Sequence, residues 1–113
     1  MTSLLDQHCQ SCEGGRPLTA PEAGALLSEV PGWSMNDEVT RLSRSFRFGN
    51  YYETMAFVNA IAWIAHREDH HPDLVVGYNR CEVRLSTHAV KGLSANDFIV
   101  AARITALVPS SRL

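Results

Sequence analysis

Apolar positions recur along this chain with two periods, near 3.6 and near 2, and the switches between them mark the elements. Leu18-Thr19-Ala20-Pro21-Glu22 puts Thr19 at a helix N-cap, Pro21 in the first turn and Glu22 three residues after the cap. A short helix to about Val30 follows, ended by Pro31-Gly32. Trp33 to Met35 then faces Thr40 to Phe48 across the turn residues Asn36-Asp37, a hairpin with Leu42, Phe46 and Phe48 on one side. From Asn50 the helical spacing of Thr54, Phe57, Val58, Ile61, Ile64 and Ala65 predicts the longest helix, reaching His66. Beyond His70-His71-Pro72, Leu74 to Tyr78, the turn Asn79-Arg80 and the alternating Cys81, Val83, Leu85 and Thr87 predict a second hairpin. Ser94 caps a last helix to about Val108, apolar along Phe98, Ala101, Thr105 and Val108.

Residues 1–16 follow neither period and read as an irregular, partly disordered N-terminal arm, with a single domain over 17–113. Two hairpins alternating with helices predict a two-layer α+β fold, a four-stranded antiparallel sheet with helices on one face. Its open edges and bare face invite a second copy, so a homo-oligomer is expected.

Composition narrows the function classes. At 113 residues and 45% hydrophobic, the chain suits one core, and its net charge of -2 lacks the field that gathers nucleic acid or an anionic membrane. No apolar run approaches the roughly 20 residues of a membrane span, and the N-terminus lacks a signal-peptide pattern; a soluble cytoplasmic protein is expected. Three cysteines cannot all pair within one chain, so reduced thiols are the default.

The chemistry concentrates on histidine. His70 and His71 are adjacent, Pro72 forces the chain after them into an extended turn, and His88 ends the last strand. Imidazole titrates near pH 6.5, so two or three rings in one cleft supply a proton donor and an acceptor together, as a dehydration requires. Taken singly, each is also readable as a surface histidine at a loop end. A metal site is the competing reading: His66 and His70 stand four apart, and His8, Cys9 and Cys12 form a second candidate set. However, His66-Arg67-Glu68-Asp69-His70 matches neither zinc-protease pattern, and one C-x-x-C without a second pair is a weak signal. Asp97 is explained by helix capping alone, next to the dipole's positive end. Arg41, Arg44 and Arg47 do not share one strand face and read as solvated.

Glu68-Asp69-His70-His71-Pro72, Tyr78-Asn79, Thr87-His88, Gly92-Leu93-Ser94 and Asp97-Phe98 together resemble the pterin-4a-carbinolamine dehydratase family, over roughly Pro31 to Leu107. The arm's His8-Cys9 and Cys12-Glu13-Gly14, with Lys91 before Gly92, look like bacterial members associated with phenylalanine hydroxylation. The resemblance implies an enzyme that removes water from 4a-hydroxytetrahydropterin, the spent cofactor of aromatic amino-acid hydroxylases, giving quinonoid dihydropterin. It implies no prosthetic group and no metal, the pterin being the substrate. His70 and His88 would divide the acid and base roles, and His71, the third catalytic histidine, would bind and orient the pterin and assist proton transfer. Asp97 would stand behind His88 and hold its tautomer, with Pro72 also in support. Asp69, Thr87, Ala89 and Val90 would line the pocket, largely through backbone. The resemblance also implies tetramers built from dimers. The alternative function is a non-catalytic module that binds and stabilises a hydroxylase or a transcription factor.

Overall fold

The computed structural model describes residues 3–11 and 15–109. Thr19 caps α1 (Ala20–Leu27) as its sequence predicts: its hydroxyl accepts the Glu22 amide at 3.3 Å, and the Glu22 carboxylate accepts the Thr19 amide at 2.9 Å. The helix stops at Leu27, short of Val30, and the next two turns close through single backbone bonds, Glu29 N to Leu26 O and Val30 N to Leu27 O. Strand β1 is only Ser34–Met35, paired with β2 (Leu42–Arg47). The connection is longer than a two-residue turn because Asn36 Oδ1 accepts the amides of both Thr40 and Arg41, at 2.9 and 2.8 Å.

Helix α2 (Tyr51–Glu68) begins at Asn50, whose side chain accepts the Glu53 amide at 2.9 Å. It runs two residues past His66 and ends where Asp69 enters the left-handed region at φ 52°. The amides of Asp69 and His70 both bond the carbonyl of Ala65, a Schellman-type closure. His70 therefore lies outside the helix, and the four-residue spacing from His66 does not bring the two rings to one face. His66 instead lies against Trp63, ring centroids 5.5 Å apart.

Strands β3 (Asp73–Val76) and β4 (Arg80–Leu85) form the second hairpin, and the sheet order is β1-β2-β4-β3, antiparallel throughout. Leu42, Phe46, Cys81, Val83 and Leu85 share the buried face, against Phe57 and Ile61 of α2 and Phe98, Ala101 and Ile104 of α3 (Ala95–Thr105). This is the expected two-layer α+β fold. The last helix ends at Thr105, not Val108; the Thr105 hydroxyl turns back to the Ala101 carbonyl at 2.9 Å and accepts Trp33 Nε1–H at 2.8 Å. Between β4 and α3, Thr87 and Gly92 exchange backbone bonds of 2.8 and 3.3 Å and close a small loop that carries His88 outward. A side chain at Gly92 would meet Pro17 Cβ at 2.8 Å, so glycine is what lets the chain before α1 cross this loop.

Candidate active site

Two separate structures deliver the histidines. The closure of α2 presents His70 and His71, and the 87–92 loop presents His88. They surround one pocket of about 230 Å³, lined also by Gln10, Ser11, Asp69, Ser86, Thr87, Ala89 and Asn96. Of the residues expected there, His70, His71, His88, Asp69, Thr87 and Ala89 come together. Val90 is buried and does not line the pocket, because the turn His88–Val90 directs it inward. Pro72 is half-buried between His71 and β3, outside the lining.

Asp97 is fully buried at the start of α3, and three donors converge on it. Its Oδ2 accepts the Thr87 hydroxyl at 2.8 Å and the Ser94 amide at 3.0 Å. Its Oδ1 lies 2.6 Å from Nε2 of His70. The sequence reading placed Asp97 behind His88; the structure pairs it with His70. The reason is geometric: the 87–92 loop turns His88 out to solvent, while the closure of α2 brings His70 over the N-terminus of α3. The capping role holds as well, through the Ser94 amide.

Since a carboxylate only accepts, the proton of this pair sits on Nε2 of His70. Nδ1 is then the ring's acceptor, and it has no partner among the described residues. The Thr87 hydroxyl, committed to Asp97, takes the Ser94 hydroxyl proton at 2.8 Å, so the buried network is satisfied in one direction. The result is a ring of fixed orientation and tautomer facing two exposed histidines.

The Pterin 4 alpha carbinolamine dehydratase family model matches residues 16–107. The chain belongs to the pterin-4a-carbinolamine dehydratase family. A Nitrosomonas eutropha protein with that provisional name is 55% identical over 109 residues, 95% of each chain. One from Stenotrophomonas maltophilia is 65% identical over 82 residues, 73% of this chain and 71% of its own. A Brucella melitensis crystal structure, described as a transcriptional coactivator/pterin dehydratase, superposes with a TM-score of 0.79 at 31% identity, over 83% of this chain and all of that one. A pterin dehydratase-like RuBisCO assembly factor of the alpha-carboxysome superposes with a TM-score of 0.59 at 26% identity, over 67% of this chain and 88% of its own.

In this dehydratase-family chain the N-terminal arm is not loose over residues 3–11. After a 3-10 turn at Leu4–Asp6, it is bonded to the ends of α2 and α3. Glu68, with only 4% of its side chain exposed, accepts the Cys9 amide at 2.8 Å and meets His8 Nδ1 at 3.1 Å. Burial pushes the Glu68 carboxyl up, but the Cys9 amide, His8 and the Arg103 guanidinium outweigh it and hold it below its ordinary value. The sequence reading missed Gln10, Ser11, Ser86 and Asn96 as lining residues. Only the position of Asn96 beside Asp97 marked any of them.

The two described members of the second metal set, His8 and Cys9, are engaged with Glu68, and Cys12 lies outside the described residues. The Cys9 Sγ–H donates to the Asn96 carbonyl at 3.7 Å, and burial together with Glu68 pushes the thiol up to about 12. Burial likewise pushes Cys81 up to about 11. In a Cys12→Ser background, both thiols are expected to react with iodoacetamide at pH 8 at least about a hundredfold more slowly than a free cysteine. Mass spectrometry of timed aliquots reads this, and alkylation of Cys9 at the free-thiol rate would contradict a docked arm. Among the described residues no helix is long and apolar enough to cross a membrane.

Proposed function

We propose that this chain dehydrates 4a-hydroxytetrahydropterin to quinonoid dihydropterin and water, recycling the cofactor of aromatic amino-acid hydroxylases in the cytoplasm. The observation that carries this reading is the buried Asp97 bonded at 2.6 Å to His70 in a pocket that His71 and His88 share. The C4a–O bond breaks as the departing hydroxyl gains a proton, and the ring nitrogen beside C4a loses one as the C=N bond forms. Protons and charge balance without a metal or prosthetic group. His70 suits the base role: its free Nδ1 takes the nitrogen proton, and Asp97 stabilises the imidazolium that results. His88, exposed at the pocket rim, gives its proton to the hydroxyl. His71 and the backbone around Asp69, Thr87 and Ala89 hold the bicyclic ring.

Self-association accompanies this role. Tyr52 (81% exposed) and Trp63 (62%) stand bare on α2, and Val75 and Val76 are exposed on the edge strand β3. These apolar surfaces suit a homodimer or homotetramer. They also favour the second reading, a module that stabilises a hydroxylase or another partner. Stopped-flow absorbance of enzymatically generated 4a-hydroxytetrahydropterin decides between them. The folded protein is expected to speed decay well above the buffer rate; decay at the buffer rate would leave only the binding role.

A further inference from the structure

Asp97 meets His70 through Oδ1 alone, and Oδ2 is fastened from the other side of the 87–92 loop. Thr87 stands on extended backbone at φ -122° and ψ 105°, and its own main chain holds it there. Its amide donates to the Gly92 carbonyl at 2.8 Å, and its carbonyl accepts the amides of Gly92 and Val90 at 3.3 and 3.2 Å. A β-branched side chain on a fixed backbone has few rotamers. That of Thr87 sets its hydroxyl 2.8 Å from Asp97 Oδ2 and 2.8 Å from Ser94 Oγ, with all three residues buried. Oδ2 thus has two donors, the Thr87 hydroxyl and the Ser94 amide at 3.0 Å. One donor alone would leave the carboxylate free to turn about its Cβ–Cγ bond, a soft torsion in aspartate. Two hold its plane, and with it the line from Oδ1 to Nε2 of His70 at 2.6 Å.

We propose that Thr87 is a positioning residue for the proton transfer: its hydroxyl acts through Asp97 on the ring of His70, and not on the pterin. This rests on the dehydratase reading. The hydroxyl gives its proton to Asp97 and takes one from Ser94, so it is spent inside the protein. Its removal therefore leaves the pocket wall in place and loosens the aim of the base. Thr87 adjoins His88 in sequence, yet its side chain serves the histidine delivered by the end of α2. Where an imidazole binds a metal, groups one bond behind it are worth on the order of tenfold to a hundredfold in activity, and a single hydroxyl is placed at the lower end.

Thr87→Val keeps the shape of the side chain and removes the hydroxyl, whereas Thr87→Ser keeps the hydroxyl. Stopped-flow decay of 4a-hydroxytetrahydropterin at several concentrations is expected to give Thr87→Val a kcat about tenfold below wild type with KM within about threefold. Thr87→Ser is expected to recover most of the lost kcat. On top of Asp97→Asn, Thr87→Val is expected to add less than about twofold, and on top of His88→Ala the full loss, because only Asp97→Asn has already broken the line to His70. In proton NMR the His70 Nε2–H, shielded by its bond to Asp97, is expected in wild type and Thr87→Ser and lost to solvent exchange in Thr87→Val. Should Thr87→Val fail to fold by circular dichroism, Thr87→Cys, a weak donor of similar size, takes its place with the same expectations. Wild-type kcat in the variant without the hydroxyl, a loss that persists undiminished on Asp97→Asn, or an unchanged Nε2–H signal each overturns the Thr87 proposal and leaves the dehydratase reading standing. A wild type that leaves decay at the buffer rate overturns both.

Discussion

Alanine at position 70 is expected to lower kcat for pterin dehydration by about 10³-fold, within the range for a lost general acid or base. The ring lies at the edge of the pocket and its Nε2 is held by Asp97 at 2.6 Å, so its removal deletes the pocket's carboxylate-anchored imidazole. His88 has no such anchor among the described residues, and His88→Ala is expected to cost somewhat less, because water reaches the same exposed position. Both rates come from the stopped-flow decay assay, with circular dichroism confirming the fold. Partial recovery of His70→Ala by added imidazole would identify the defect as a missing proton carrier. A His70→Ala protein as fast as wild type would remove His70 from the mechanism.

Asp97 carries the second large effect, and its two variants separate chemistry from stability. Asp97→Asn keeps an oxygen for the Thr87 hydroxyl and the Ser94 amide, but presents N–H to Nε2 of His70. The ring must then move its proton to Nδ1 and loses its free acceptor, so kcat is expected to fall about 10²-fold or more with the protein still folded. Asp97→Ala leaves the Thr87 hydroxyl, the Ser94 amide and the His70 N–H without their acceptor in a site with no solvent access. That variant is expected to lose about 3 kcal/mol or more of stability in urea denaturation. If Asp97→Asn keeps wild-type kcat, Asp97 is a helix cap and nothing more.

The two hairpins and the capped starts of all three helices were legible because each depends on neighbours in sequence. Alternation of Cys81, Val83 and Leu85 needs only the pleat, and Asn50 or Thr19 needs only an amide three residues ahead. Helix ends were less legible. Val30 and Val108 continue the apolar period beyond the helices, because turns packed on the core need buried side chains too. The gathering of His70, His71 and His88 was legible from Pro72 and from the family resemblance. The partner of Asp97 was not: His70 and His88 lie 27 and 9 positions away in sequence, and the nearer one was the natural expectation.

The arm is the strongest case of what local pattern omits. Its bonds to Glu68 and Asn96 span 59 and 86 positions, and neither period nor composition encodes a contact between an aperiodic segment and two helix ends. By itself, the sequence determined the α+β class, the antiparallel hairpins and the family, since these rest on local periodicity and on a compact set of motifs. Tertiary structure alone decided that Asp97 orients His70, that His88 faces solvent and that Gln10 and Ser11 wall the pocket. Those outcomes depend on how α2 and α3 end beside one another, and the end of a helix is set by packing and turn geometry more than by the residues within it.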